Sequence, residues 1–258
     1  MPPRPRSRTE TRQLVTIAGI ELELVERRVK RLSLRVSPPD GRVRLTVPHG
    51  TPGSLIRSTV AERAAWIARH QQRFRALPQP HAARYETGET HYYAGEPYRL
   101  ELRPGAPRRV TLEGRRLVMG VGPACDAAAR ERRLERWYRE RLQESLPPLV
   151  ERWAARLEVP VPHVGVKRMK TRWGSCNPRA ARVWFALALA RRRPELVEYI
   201  VVHEVAHLLV PDHGPRFKAL MSRHVPRWRE LDAELDAWPL WAPLPAGGEI
   251  RKRLGGCT

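Results

Sequence analysis

One cluster in the sequence has the residue types and spacing for metal chemistry. Between Tyr199 and His213 the chain reads Tyr-Ile-Val-Val-His-Glu-Val-Ala-His-Leu-Leu-Val-Pro-Asp-His, which places His203, Glu204 and His207 in a His-Glu-x-x-His pattern. Residues four apart on a helix lie on one face about one turn apart, so the two imidazoles can converge on one ion. Glu204 falls about 100° around the helix from His203, beside the ion rather than on it. There a carboxylate can take the proton of a water polarised by the metal. With nine His and 22 Glu among 258 residues, chance supplies this pattern only about 0.03 times. The bland alternative is a pair of core or surface histidines satisfied by ordinary hydrogen bonds.

Catalytic zinc takes three protein ligands and keeps one position for water, so a third donor is needed. His213 follows His207 after five residues, the gap of the longer His-Glu-x-x-His-x-x-Gly-x-x-His pattern, and Pro211 ends the helix between them. Val210 stands where that pattern has glycine, so the turn must be made another way. Asp212 and His224 compete as third ligands, although His224 falls on a following helix that starts near Pro215. A structural zinc site would need a fourth protein ligand and no acid beside it, which favours catalysis.

The elements that must hold these residues can be read from the surroundings. Residues 194–210 contain no Lys or Arg in a chain with 48 of them, which predicts a buried helix over 195–209. Val197, Val201, Val205 and Leu208 form its apolar face, roughly opposite His203 and His207. Before it, strands over 164–169 and 182–189 flank the loop 171–178. Lys170, Arg172 and the Ser175 hydroxyl are candidates there for stabilising an oxyanion. A structural turn burying Trp173 and Cys176 is the competing reading of that loop. The strand 183–189 is expected to offer an edge with which an extended peptide can pair.

Upstream, apolar residues alternate at Ile20, Leu22, Leu24, then Leu32, Leu34, Val36, then Val43, Leu45, Val47, which predicts a β-meander with a turn at Pro39-Asp40-Gly41. Thr51-Pro52 reads as the N-cap and first residue of one helix carrying Leu55, Ile56, Val60, Ala64 and Ile67. Short runs broken by glycines from 85 to 121 predict further strands. Helical spacing then takes over from 126 to 158, interrupted near Pro147-Pro148. The expected fold class is α+β, with a basic tail over 1–12, a β-rich domain with one helix over 13–121, a mainly helical domain with a small antiparallel sheet over 122–241, and a second tail over 242–258. No internal repeat is evident.

Three cysteines, Cys125, Cys176 and Cys257, lie far apart without a CxxC pair, which argues against a disulfide framework or a thiolate zinc site. A reducing, cytoplasmic setting is expected. No apolar h-region follows the basic N-terminus, and no run of eighteen apolar residues occurs, so neither secretion nor a membrane span is expected. The formal net charge of +21 points to nucleic acid or another polyanion as partner through a basic surface. Only five of the 48 basic residues are Lys, so GC-rich coding is the rival explanation.

Taken together, Lys170-Thr-Arg-Trp-Gly-Ser-Cys176, the His203–His207 segment, His213 with Arg216-Phe217, and Pro226-x-Trp228 resemble the YgjP-like, SprT-related family of zinc metallopeptidases. The resemblance extends into the N-terminal β-rich part, including Gly95-Glu-Pro-Tyr98. It implies a zincin-like metallopeptidase domain and one Zn²⁺ per chain on His203, His207 and His213. It also implies Glu204 as the catalytic residue and polypeptide as substrate, and the expected edge strand favours extended or unfolded chains. Ala186 departs from relatives that carry Asn in the strand after the Trp-Gly-Ser-Cys loop. SprT-related proteins include proteases acting on DNA-bound protein, so the alternative function is a DNA- or polyanion-associated protein with an auxiliary zinc site. Hydrolysis of a non-peptide amide or ester is a third reading.

Overall fold

The computed structural model describes residues 10–77, 83–238 and 240. The described residues up to 77 form one compact unit and those from 83 a second. The expected second tail, 242–258, and Cys257 lie outside them, as do residues 1–9 of the first tail. Thr11 and Arg12, expected in that tail, already belong to a strand.

In the first unit, β1 (Thr11–Ile17), β2 (Ile20–Glu26), β3 (Ser33–Ser37) and β4 (Arg42–Val47) form a sheet in the order β1-β2-β4-β3. The alternation predicts the strands, but their pairing is no meander: β2 and β4 run parallel at the centre and a hairpin closes each side. β4 buries Val43, Leu45, Thr46 and Val47, and burial on both faces requires a central place. Helices α1 (Gly53–Glu62) and α2 (Ala64–Ala76) cover one face, with Ile56, Val60 and Ile67 against Leu22, Leu24 and Leu45. They replace the single helix expected, the break falling at Arg63 (φ −97°, ψ 1°). Thr51 caps neither; its hydroxyl donates to the Pro48 carbonyl at 2.7 Å.

The second unit begins with β5 (Thr90–Tyr93), β6 (Glu96–Pro104), β7 (Val110–Glu113) and β8 (Arg116–Val121), ordered β5-β6-β8-β7 with β6 and β8 parallel. This is the first sheet's topology again. The first hairpin of each turns on Ala-Gly with positive φ, 50° and 75° at Ala18-Gly19, 50° and 84° at Ala94-Gly95. A helix follows at the same interval, Val47 to Gly53 and Val121 to Ala127. Alternation and turn chemistry carry this repeat.

Helix α3 (Ala127–Arg156) starts on Asp126, whose side chain accepts from the Ala129 N–H at 2.7 Å, and runs straight through Pro147 and Pro148. Interior prolines cost about 3 kcal/mol or more, but Leu142, Leu146, Val150 and Trp153 are all buried along this helix and hold it to the core. Leu134, Trp137 and Tyr138 of the same helix share that core with Leu100, Leu117 and Met119 of the sheet. The second sheet therefore belongs with the helical part, and the change of pattern near 122 marks the onset of α3 rather than the division between units.

After α3 come β9 (His163–Lys167), β10 (Gly174–Asn177) and β11 (Arg182–Ala186) in the order β10-β11-β9. This small sheet is mixed, β10 antiparallel and β9 parallel to β11. Helices α4 (Pro194–Ala206), α5 (Pro215–His224) and α6 (Trp228–Ala237) complete the α+β fold. Among the described residues no helix is long and apolar enough to cross a membrane.

Candidate active site

Helix α4 starts with Pro194 at its first position and Glu195 in its first turn, both suited to a helix N-terminus. It is buried on nearly every side through Leu196, Tyr199, Ile200, Val201, Val202, Val205 and Ala206, not on one apolar face only. Glu198 ties it to α3 by accepting from Arg152 at 2.6 Å and from the Trp153 indole N–H at 2.9 Å. The helix ends at Ala206, earlier than the spacing predicts, and His207 is its C-cap with αR angles, so His203 and His207 still share a face.

The turn that lacks glycine is made without positive φ. The N–H groups of Leu208, Leu209 and Val210 return to Val205 and Ala206 carbonyls, and the Val210 carbonyl lies 3.0 Å from His207 Nδ1. That bond directs Nε2 of His207 into the site, the usual outer support of a metal-binding imidazole. Asp212 accepts from the Gly214 N–H at 2.8 Å and turns the chain into α5. His213 is thereby brought over α4, its Nε2 3.0 Å from His203 Nε2. Phe217, 3 % exposed, lies within 4.9 Å of all three imidazoles by ring centroids. Tyr199, one turn before His203, meets its ring edge-on at 6.0 Å and donates to Asp232 of α6 at 3.0 Å.

One ligand atom from each of His203, His207 and His213 lies within 4.8 Å of the others. Three nitrogens about 2.05 Å from a tetrahedral ion would be about 3.3 Å apart, so the set fits one zinc. Burial, with His207 and His213 alongside, lowers the His203 pKa to about 3, and burial also lowers that of His207. Neutral rings offer lone pairs, as a metal ligand must. The competing donors are engaged elsewhere: Asp212 in its turn, and His224 edge-on to Trp153 at 6.0 Å.

Glu204 is 5 % exposed, and burial raises its pKa to about 8 against the opposing charge of Arg172. Its carboxyl lies against Gly174, where an added β-carbon would be 2.5 Å from both Cγ and Oε1. Cys176, two residues along β10, has its pKa raised to about 11 by burial and by Glu204. Strand alternation sends Ser175 to the other face, opposite Trp184. Of the three loop candidates, Arg172 alone is electrostatically joined to Glu204; Lys170 is exposed in the loop. Trp173 is half-buried with the buried Arg192 guanidinium 4.9 Å from its ring, and its carbonyl accepts from Ala186 at 2.8 Å. Arg168, paired with Glu131 and Glu135, fastens the start of the loop to α3. The strand expected to offer an edge is β11, but it is central, and the edges are β10 and β9. Ala186 ends β11 fully buried, with no polar group in that place.

Sequence reading gave no role to Gly174, Phe217 or Tyr199, although the first two stand in the motifs that carry the family resemblance. Gly174 falls in a strand, β10, where the sequence reads as a loop, so the close backbone approach that a strand glycine marks was not readable there.

No curated protein matches the chain. Among solved structures, the metallopeptidase zymogen jannalysin of Methanocaldococcus jannaschii is 18% identical, with 34% of this chain and 90% of that one covered at a TM-score of 0.32. That similarity is too slight to argue from. The profile of the YgjP-like, metallopeptidase domain matches residues 30–237, a span that takes in the three histidines, Glu204 and the Gly174 loop. The chain belongs to the YgjP-like metallopeptidase family.

Proposed function

We propose that the protein is a zinc-dependent endopeptidase in which His203, His207 and His213 hold one zinc and Glu204 is the general base. The observation that carries this reading is that three imidazoles offer ligand atoms within 4.8 Å of one another, two of them from the helix that buries Glu204 next to His203. Zinc, when bound, supplies Lewis acidity toward a water and toward the scissile carbonyl. Glu204 takes the proton of the attacking water at a carboxylate oxygen and passes it to the departing amine nitrogen as the C–N bond breaks. Burial makes Glu204 a stronger base than an exposed carboxylate, and Arg172 keeps its ionised form within reach. We assign the stabilising of negative charge on the carbonyl oxygen to Arg172, the loop cation whose charge reaches Glu204, because Ser175 lies on the other face of β10.

Extended polypeptide is the substrate class. β10 is an edge strand beside Glu204, so its outer backbone can pair with a chain laid along it. A chain held in that way continues on both sides of the cleaved bond, which suits internal cleavage. The test is hydrolysis of an unfolded casein-type substrate. Zinc-loaded protein should cleave it, and chelated protein and Glu204→Gln should not. Equal cleavage by Glu204→Gln with full zinc would remove Glu204 from the mechanism.

A further inference from the structure

The three-stranded sheet has a second face, turned away from Glu204. Residues paired across strands share a face, and the register puts His163, Gly165 and Lys167 of β9 beside Arg182, Trp184 and the buried Ala186 of β11 and Ser175 and Asn177 of β10. The intervening residues, among them Val166, Val183 and Phe185, go into the core. His163, Lys167 and Arg182 are exposed and Trp184 is half-buried. Trp184 lies across β9, because a β-carbon at Gly165 would run into its six-membered ring. Lys167 Nζ is 3.4 Å from the Trp184 ring centroid, and the His163 ring is 6.1 Å from it.

This face carries no Asp or Glu, and Lys167 and Arg182 have no carboxylate partner among the described residues. Other arginines of the same unit are neutralised locally: Arg103 by Glu101 and Glu113, Arg116 by Glu101, Arg168 by Glu131 and Glu135. An indole laid flat on an open sheet, framed by unpaired cations, has two complementary groups to satisfy: a planar ring above it and anions to either side.

We infer that this face binds single-stranded nucleic acid, a base stacking on Trp184 and flanking phosphates meeting Lys167 and Arg182. Stacking a base is worth more than an exposed cation–π contact, so the Lys167 ammonium can give way to the base and keep its charge for the phosphate. His163 and Lys167 stand about 13 Å apart along β9 at roughly 3.3 Å per residue, enough to follow a strand past one stacked base. A duplex presents base edges rather than faces and leaves the ring unused. A lipid surface would call for apolar side chains, and none besides the indole stands exposed on this face.

The test is fluorescence anisotropy of fluorescein-labelled dT12 and rU12 with the full zinc-loaded chain at several salt concentrations. Binding of either oligomer is expected, with duplex of the same length weaker. Trp184→Ala should lose roughly 5- to 100-fold in affinity, whereas Trp184→Phe, which keeps a stacking ring, should retain most of it. Lys167→Gln with Arg182→Gln should flatten the log–log salt dependence by about 0.7 for each phosphate that is no longer neutralised. Chelated protein should bind unchanged, so this outcome is separable from the fate of the peptidase reading. The inference is overturned if no oligomer binds or duplex binds equally well. It is also overturned if Trp184→Ala with intact zinc content binds like the native chain, or if Trp184→Ala impairs binding to phosphatidylserine vesicles but not to oligomers.

Discussion

Adding one methyl group at Gly174 should cost the enzyme most of its activity without touching the metal ligands. A β-carbon there stands 2.5 Å from Cγ and Oε1 of Glu204 and 2.7 Å from Cδ, where ordinary contact begins near 3.4 Å. About 1 Å of displacement is therefore needed. The carboxyl end of Glu204 is the group free to supply it, since Gly174 is held to Phe185 in the sheet. Misplacing a catalytic group by about 1 Å costs on the order of 100-fold, or about 2.7 kcal/mol of transition-state stabilisation. The assay is kcat/KM of Gly174→Ala on an unstructured quenched-fluorescence peptide, with zinc measured on the same sample. A fall of about two orders of magnitude at full zinc occupancy is expected. Native kcat/KM at full occupancy would refute the claim that Gly174 places Glu204.

Three other outcomes follow from the same geometry. His213→Ala should weaken zinc binding by more than about 100-fold, since even outer-shell losses reach that range; competition with a chromogenic chelator measures it. Phe217→Ala should destabilise the fold by about 3–5 kcal/mol and loosen zinc, because the ring packs on all three imidazoles; urea unfolding with and without zinc separates the two effects. In chelated protein, Glu204 titrates near pH 8 when folded against 4.5 ordinarily. The folded chain then holds a proton that the unfolded chain has released, so stability is lost as pH rises from about 4.5 through 8. The loss is on the order of 5 kcal/mol at full ionisation, and Glu204→Gln should be free of it; parallel urea titrations at pH 5 and pH 9 decide.

The grouping of the candidate site residues was more legible than the architecture, for a physical reason. His203, Glu204 and His207 lie within two turns of one helix, so their relation follows from helical pitch alone. His213 was legible because Pro211 forces a stop after a short interval, although the Val210 carbonyl that makes the turn has no side-chain signature. Gly174 and Phe217 act through long-range packing against α4, and no local period reports it. The strands were visible in the alternation, but a parallel β2–β4 pair and a meander have the same alternation, and only double-sided burial of β4 separates them. Pro147 and Pro148 read as a break because local propensity opposes a helix there; the packing of Leu146 and Val150 overrides it. The edge strand was misplaced by one position because which strand lies centrally is a tertiary fact.

The account rests on three imidazoles sharing one zinc with one coordination position left open. Zinc-edge X-ray absorption of the loaded protein tests this directly. The predicted shell is three nitrogens and one oxygen near 2.0–2.1 Å, with the outer-shell pattern of imidazole. A sulfur near 2.3 Å, which would place Cys176 on the metal, or a shell containing only two imidazoles, would contradict it.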